Sequence, residues 1–176
     1  MTKQKNRRAW HWGLTLIIIL GCLPITKPFA LEADKDQELL FSADGGSHMS
    51  IEGDNRLLEI SNNVIITRGT MVIRGDTATI RSIISNGEVS KITVVGTPVY
   101  YEQQLDSNDE PVKGSSNSIS FYTDEDGGAS VVELIGEAVI KSPTSNFKCS
   151  AIIYIAEQDL IRDTKGPCSG AFNTLN

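Results

Sequence analysis

The segment from Arg56 to Ile80 matches the segment from Ser130 to Tyr154 at a constant offset of 74 residues, without a gap. Leu58-Glu59-Ile60 falls on Val132-Glu133-Leu134, Ile66 on Ile140, Ile73 on Phe147, Gly75 on Cys149, and Ala78 and Ile80 on Ile152 and Tyr154. Both copies are short β-type runs separated by corner residues. Such units cannot bury a face alone, so the repeat predicts stacking into a solenoid or a rolled sheet. A weaker third copy runs from Ile92 through Gly96 to Phe121, interrupted by the polar stretch Asp106–Ser118, which is expected as a surface loop or hairpin.

Strand patterning extends over the chain beyond residue 30. Runs such as Leu39–Phe41, Met49–Ile51, Met71–Ile73, Ile92–Val94, Ile119–Phe121 and Ile152–Tyr154 alternate with period two, and Gly, Asn, Asp and Ser punctuate them. No twelve-residue window there has a helical period, so the expected fold is all-β: one rolled antiparallel, jellyroll-like open sheet. At Gly75-Asp76 the apolar parity switches from odd (Met71, Ile73) to even (Ala78, Ile80), as at a bulge or corner. Alternation puts Leu39, Phe41, Met49, Ile51, Leu58, Ile60, Ile66, Met71, Ile73, Ile92, Val94, Ile119, Phe121, Val132, Leu134, Ile140, Phe147, Ile152 and Tyr154 on one inward face. Glu59, Arg74, Thr93, Ser120 and Glu133 lie opposite.

The first thirty residues read differently. Lys3, Lys5, Arg7 and Arg8 precede an apolar run from Trp10 to Ile25, the pattern of a secretory signal cut after Ala30. An uncleaved anchor, or a lipoprotein site at Cys22, are the rival uses of that segment. Cleavage leaves a domain over 31–165, a tail over 166–176, and eleven cations against 22 acids, a charge of −11. Scattered single cations on so acidic a chain exclude nucleic acid as a partner. Export makes Cys149 and Cys168 a candidate disulfide, with two unpaired thiols as the alternative.

Little in the chain supports catalysis. His48 is the only histidine after residue 30, and Cys-x-x-Cys spacing is absent, so neither a metal centre nor a cofactor is expected. Gly166-Pro167-Cys168-Ser169-Gly170 imitates a nucleophile elbow but lacks the strand-turn-helix context and reads as a terminal loop. Asp106–Glu110 lacks the glycine and final glutamate of a calcium loop. Asp124, Glu125 and Asp126, followed by Gly127-Gly128, read as a solvated turn; a β-solenoid enzyme acting on an anionic polysaccharide would have to use them.

Five blocks in order, Ala33–Gln37, Asn63–Met71, Gly96–Pro98, Pro111–Gly114 and Ser145–Lys148, resemble the OstA-like family of lipopolysaccharide export proteins, which includes LptA, LptC and the N-terminal domain of LptD. Asn62 or Asn63, and Cys149, stand where that family often has glycine. The resemblance implies a periplasmic protein whose rolled sheet holds the acyl chains of lipopolysaccharide while the sugars stay outside, with Leu39, Phe41, Tyr101 and Phe121 among the residues touching lipid. It also implies head-to-tail self-association into a bridge between the two membranes. LptC-like inner-membrane and LptD-like outer-membrane partners would dock on edge strands around Glu38–Ala43 and Gln158–Asp163. The Pro111–Gly114 block favours the soluble bridge over the anchored LptC-like component. A purely structural module, with the inward face closed into a dry core, is the competing use of the same pattern.

Overall fold

The computed structural model describes residues 30–106, 110–124 and 128–173. The signal segment, Cys22, Asn108, Asp109, Glu125 and Asp126 lie outside the described residues. A short helix α1 (Ala30–Lys35) leads into ten strands of a single antiparallel sheet. They are β1 (Leu40–Ser42), β2 (Ser47–Glu52), β3 (Asn55–Arg68), β4 (Met71–Ile83), β5 (Val89–Gln103), β6 (Val112–Thr123), β7 (Ser130–Lys141), β8 (Ser145–Ile155), β9 (Leu160–Lys165) and β10 (Ser169–Phe172).

The six long strands β3 to β8 form a meander, and each turns a corner near its middle. Pairing slips between Ser61 and Val64, Arg74 and Thr77, Val95 and Val99, Ser115 and Ser118, and Ile135 and Ala138. In β3 the corner is made by Asn62 and Asn63, both left-handed (φ 64° and 51°); 74 residues on, Gly136 and Glu137 repeat it in β7 (φ 80° and 51°). The internal match therefore reports two hairpins of the same shape, β3–β4 and β7–β8. β5 turns at Gly96-Thr97-Pro98, with a cis peptide between Thr97 and Pro98.

Bent strands lying side by side make two facing limbs. The first limb carries β2, β9 and the adjoining halves of β3 to β8; the second carries β1, β10 and the other halves. Each terminal edge is thus split at a corner, β1 and β2 both pairing with β3, and β9 and β10 both pairing with β8. Between the limbs lies the core, with Val64, Ile66, Ile73, Val94, Ile119, Leu134, Ile140 and Ile152 wholly buried. Leu134 of the first limb reaches to 3.0 Å of where a Cβ on Gly114 of the second limb would stand, so glycine there allows the limbs to meet.

Two expectations need correction. Residues 112–118 are the first half of β6 and not loop, because ladder bonds to β5 and β7 outweigh the low strand propensity of Gly114 and three serines. Residues 169–172 are not a tail but β10, paired with Ser145–Lys148 and held by Phe172 packing edge-on against Phe147 at 5.3 Å. Cys149, at the β8 corner, is disulfide-bonded to Cys168, which turns the chain between β9 and β10; their Cα atoms are 4.2 Å apart.

Two predictions follow from the corners. Reduction of Cys149–Cys168 should free two thiols, of which the exposed Cys168 labels readily, and lower unfolding free energy by about 3 kcal/mol, since the closed loop spans 19 residues; denaturant titration with and without reductant measures this. Glu137→Gly should stabilise the fold by about 1 kcal/mol by relieving a left-handed non-glycine residue, whereas Glu137→Val should destabilise it.

Candidate functional site

Cross-strand pairing arranges the inward side chains into continuous rows. In the second limb one row runs Phe41, Ile66, Ile73, Tyr101, Gly114, Ile140, Phe147, Gly170. In the first limb another runs Met49, Leu58, Ile80, Ile92, Phe121, Val132, Tyr154, Ile161. Period two along each strand and register across strands together make the apolar stripe span the whole sheet.

Solvent access changes along these rows. Phe41, Met49 and Ile51 are 46%, 56% and 73% exposed, Leu39 and Leu58 are half-buried, and Ile80 is nearly covered. Ile60, Ile66, Met71, Ile73, Ile92, Val94, Tyr101, Ile119, Phe121, Val132, Leu134, Ile140, Ile152 and Tyr154 are buried, and Phe147 is half-buried near the other edge. The inward face is therefore open at the β1–β2 end and closed through the middle. Of the residues opposite it, Glu59 and Arg74 are exposed, Thr93 and Glu133 are half-buried, and Ser120 is covered, sharing a hydrogen bond with Thr93.

Polar side chains close the mouth between the limb tips, and α1 is the centre of this closure. Asp34, 5% exposed, accepts hydrogen bonds from the Thr70 backbone N–H at 2.7 Å, the Thr70 hydroxyl at 2.6 Å and the Gln103 amide at 2.9 Å, all at tips of the second limb. Gly69 makes room for it: at φ 57°, a Cβ there would lie 2.0 Å from the Asp34 carboxylate. Arg68 donates to the Lys35 and Gln37 carbonyls. On the other side, Lys35 pairs at 3.2 Å with Glu157, at a tip of the first limb, and Glu157 accepts from the Ser130 backbone N–H. Thr144 and Asp159 bridge the tips directly at 2.6 Å, and Asp159 also accepts from the buried Tyr154 hydroxyl.

Electrostatics keep these groups in the states the network needs. Burial, then the Glu157 and Asp34 carboxylates, raise the Tyr101 pKa well above its ordinary value, so its hydroxyl remains a donor to Gln103. Burial and Asp159 do the same for Tyr154. Burial pushes the Glu157 carboxyl up, but hydrogen bonds from Ser130, its own backbone and Lys35 outweigh this and hold it below the ordinary carboxylate value.

A model of the family described as LptA/(LptD N-terminal domain) LPS transport protein matches residues 46–159. The chain belongs to this family. It is 28% identical over 148 residues to the lipopolysaccharide export system protein LptA of Haemophilus influenzae, covering 84% of this chain and 81% of that protein. It is 24% identical to LptH of Pseudomonas aeruginosa, over 84% and 81%, and 27% identical to LptA of Escherichia coli, over 83% and 75%. The crystal structure of the Pseudomonas LptH, described as the LptA homologous periplasmic component of the lipopolysaccharide transport device, shares the fold. It matches with a TM-score of 0.64 at 18% identity over 81% of this chain and 99% of that one.

Asp124 is bound by Arg162 at 2.6 Å, and among the described residues no group of three or more His, Cys, Asp or Glu could hold a metal ion. A concavity of about 460 Å³ beside His48, Glu59 and Thr79 involves the polar row opposite the apolar one. Sequence reasoning missed the mouth closure. Its signal was the ordered pair of blocks Ala33–Gln37 and Asn63–Met71, whose residues Asp34 and Thr70 meet in space.

Glu157 sets the pH response of that closure. A carboxyl whose folded pKa lies below its unfolded one stabilises the fold above the unfolded pKa and loses that as pH falls through the folded one. The stability of wild type over Glu157→Gln should be about 1 kcal/mol or less for a half-exposed pair, fully present at neutral pH and lost as the pH falls below the ordinary glutamate range. Thermal unfolding across that range measures it.

Proposed function

We propose that this chain carries lipopolysaccharide through the periplasm, from the inner to the outer membrane, with acyl chains held against the inward apolar rows and sugars left outside. The observation that carries this reading is the gradient of exposure along the two rows, from Phe41 at 46% and Met49 at 56% to a buried centre. It is a continuous apolar track with an open entrance. Each methylene removed from water is worth about 0.8 kcal/mol, so one twelve-carbon chain supplies about 10 kcal/mol gross with no catalytic group. The named relatives are transport proteins, not enzymes. Being named LptA and LptH, they favour the bridge over both the anchored LptC-like component and a polysaccharide-acting enzyme.

Length to span two membranes would come from self-association. β1 and β2 at one end, and β9 and β10 at the other, each pair on one side only, and none contains proline. Unpaired backbone groups at both ends allow strand addition, and a heterologous contact of that kind propagates. The same edges suit the membrane-anchored partners.

The entrance residues provide the test. Photo-crosslinkers at positions 41 and 49 should be labelled by lipopolysaccharide, while those at 59 and 74 should not. Met49→Glu should weaken binding about tenfold with little change in unfolding midpoint, because a carboxylate at a half-exposed site need not be buried in the fold but would meet acyl chain. Equal labelling of both sets would overturn the reading. Phe121→Glu, in contrast, should destabilise the domain itself, since Phe121 is 8% exposed within the core.

A further inference from the structure

Where the apolar track passes the mouth of the roll, α1 lies across it. Beneath α1 lies a small cavity of about 20 Å³ lined by Met71 and Phe121 from facing limbs, with Gln103, Thr123 and Ser130 at its rim and Asp34, Lys35 and Arg68 above. The bonds described for α1 are hydrogen bonds and one ion pair: Asp34 to Thr70 and Gln103, Arg68 to the Lys35 and Gln37 carbonyls, Lys35 to Glu157. Water can replace each of these as α1 lifts, whereas any other way to uncover Phe121 must separate the packed limbs.

We propose that α1 is a releasable strap across the mouth of the roll, anchored by Asp34, and that acyl chains reach the Met71–Phe121 stretch only when it lifts. The inference rests on the reading that the chain carries lipopolysaccharide. It divides the track into an entrance that is always open, at Phe41, Met49 and Ile51, and an inner stretch whose occupancy is coupled to strap release. Ligand favouring the released state draws the equilibrium toward it by its differential affinity. Asp34 is thus a positioning residue, acting on the ligand through the strap.

Hydrogen exchange on the unaltered chain tests the coupling. The Thr70 N–H is bonded to Asp34, so adding lipopolysaccharide should speed its exchange several-fold; unchanged or slower exchange would overturn the proposal. A second experiment locks the strap. In Asp34→Cys/Thr70→Cys, whose native side chains touch at 2.6 Å, oxidation should abolish lipopolysaccharide labelling from a photo-crosslinker at 121 and spare that from 41, and reduction should restore it, with wild type under the same reductant as control. Asp34→Ala should raise labelling at 121 and leave 41 unchanged. Labelling at 121 that ignores the lock, or loss at 41 as well, would overturn the strap. Absence of labelling at 41 in wild type would instead overturn the carrier reading beneath it.

Discussion

Everything in this molecule depends on bending each long strand once. A flat meander of six strands would expose its apolar face; a corner in every strand folds that face onto itself and creates two limbs with a core between them. The corner has a local cost, because Asn62, Asn63 and Glu137 sit in a left-handed region that side chains disfavour. That cost is offset by the contact of the limbs, of which Leu134 over Gly114 is the clearest instance. The disulfide ties down the same feature at the last edge, joining the β8 corner to the turn between β9 and β10.

The bend also makes the mouth, and the chemistry of the mouth differs from that of the core. Limb tips are hairpin turns with polar backbone groups to satisfy, so carboxylates and hydroxyls gather there: Asp34, Thr70, Glu157, Thr144 and Asp159. Apolar contact is strong but hard to reverse locally. Polar contact at the surface is exchangeable with water. A lipid carrier needs both, a track that favours acyl chains and an access that opens without unfolding, and the roll separates them in space.

Much of this was legible in the sequence, for identifiable reasons. Period-two alternation assigned the inward face, and the parity switch at Gly75-Asp76 marks a corner that the pairing of β3 and β4 contains. The offset of 74 paired two segments whose corners, at Asn62-Asn63 and Gly136-Glu137, have the same left-handed backbone. Alternation names a face but not what covers it, so it gave Ile51 and Ile152 the same standing although one is open to water and the other wholly buried. Strand β6 begins in a serine-rich stretch, and its pairing is set by neighbours and not by its own residues. The mouth closure joins residues 36 and 69 positions apart, through single polar side chains that leave no periodic trace.

The central claim is that this roll holds lipid in the cell. Native mass spectrometry of residues 31–176 purified gently from the periplasm addresses it directly. The account predicts a bound species with the mass of lipopolysaccharide or its acylated core, diminished in Met49→Glu while the fold persists. A chain that emerges ligand-free from cells rich in lipopolysaccharide, and stays so when lipopolysaccharide is added in excess, would contradict it.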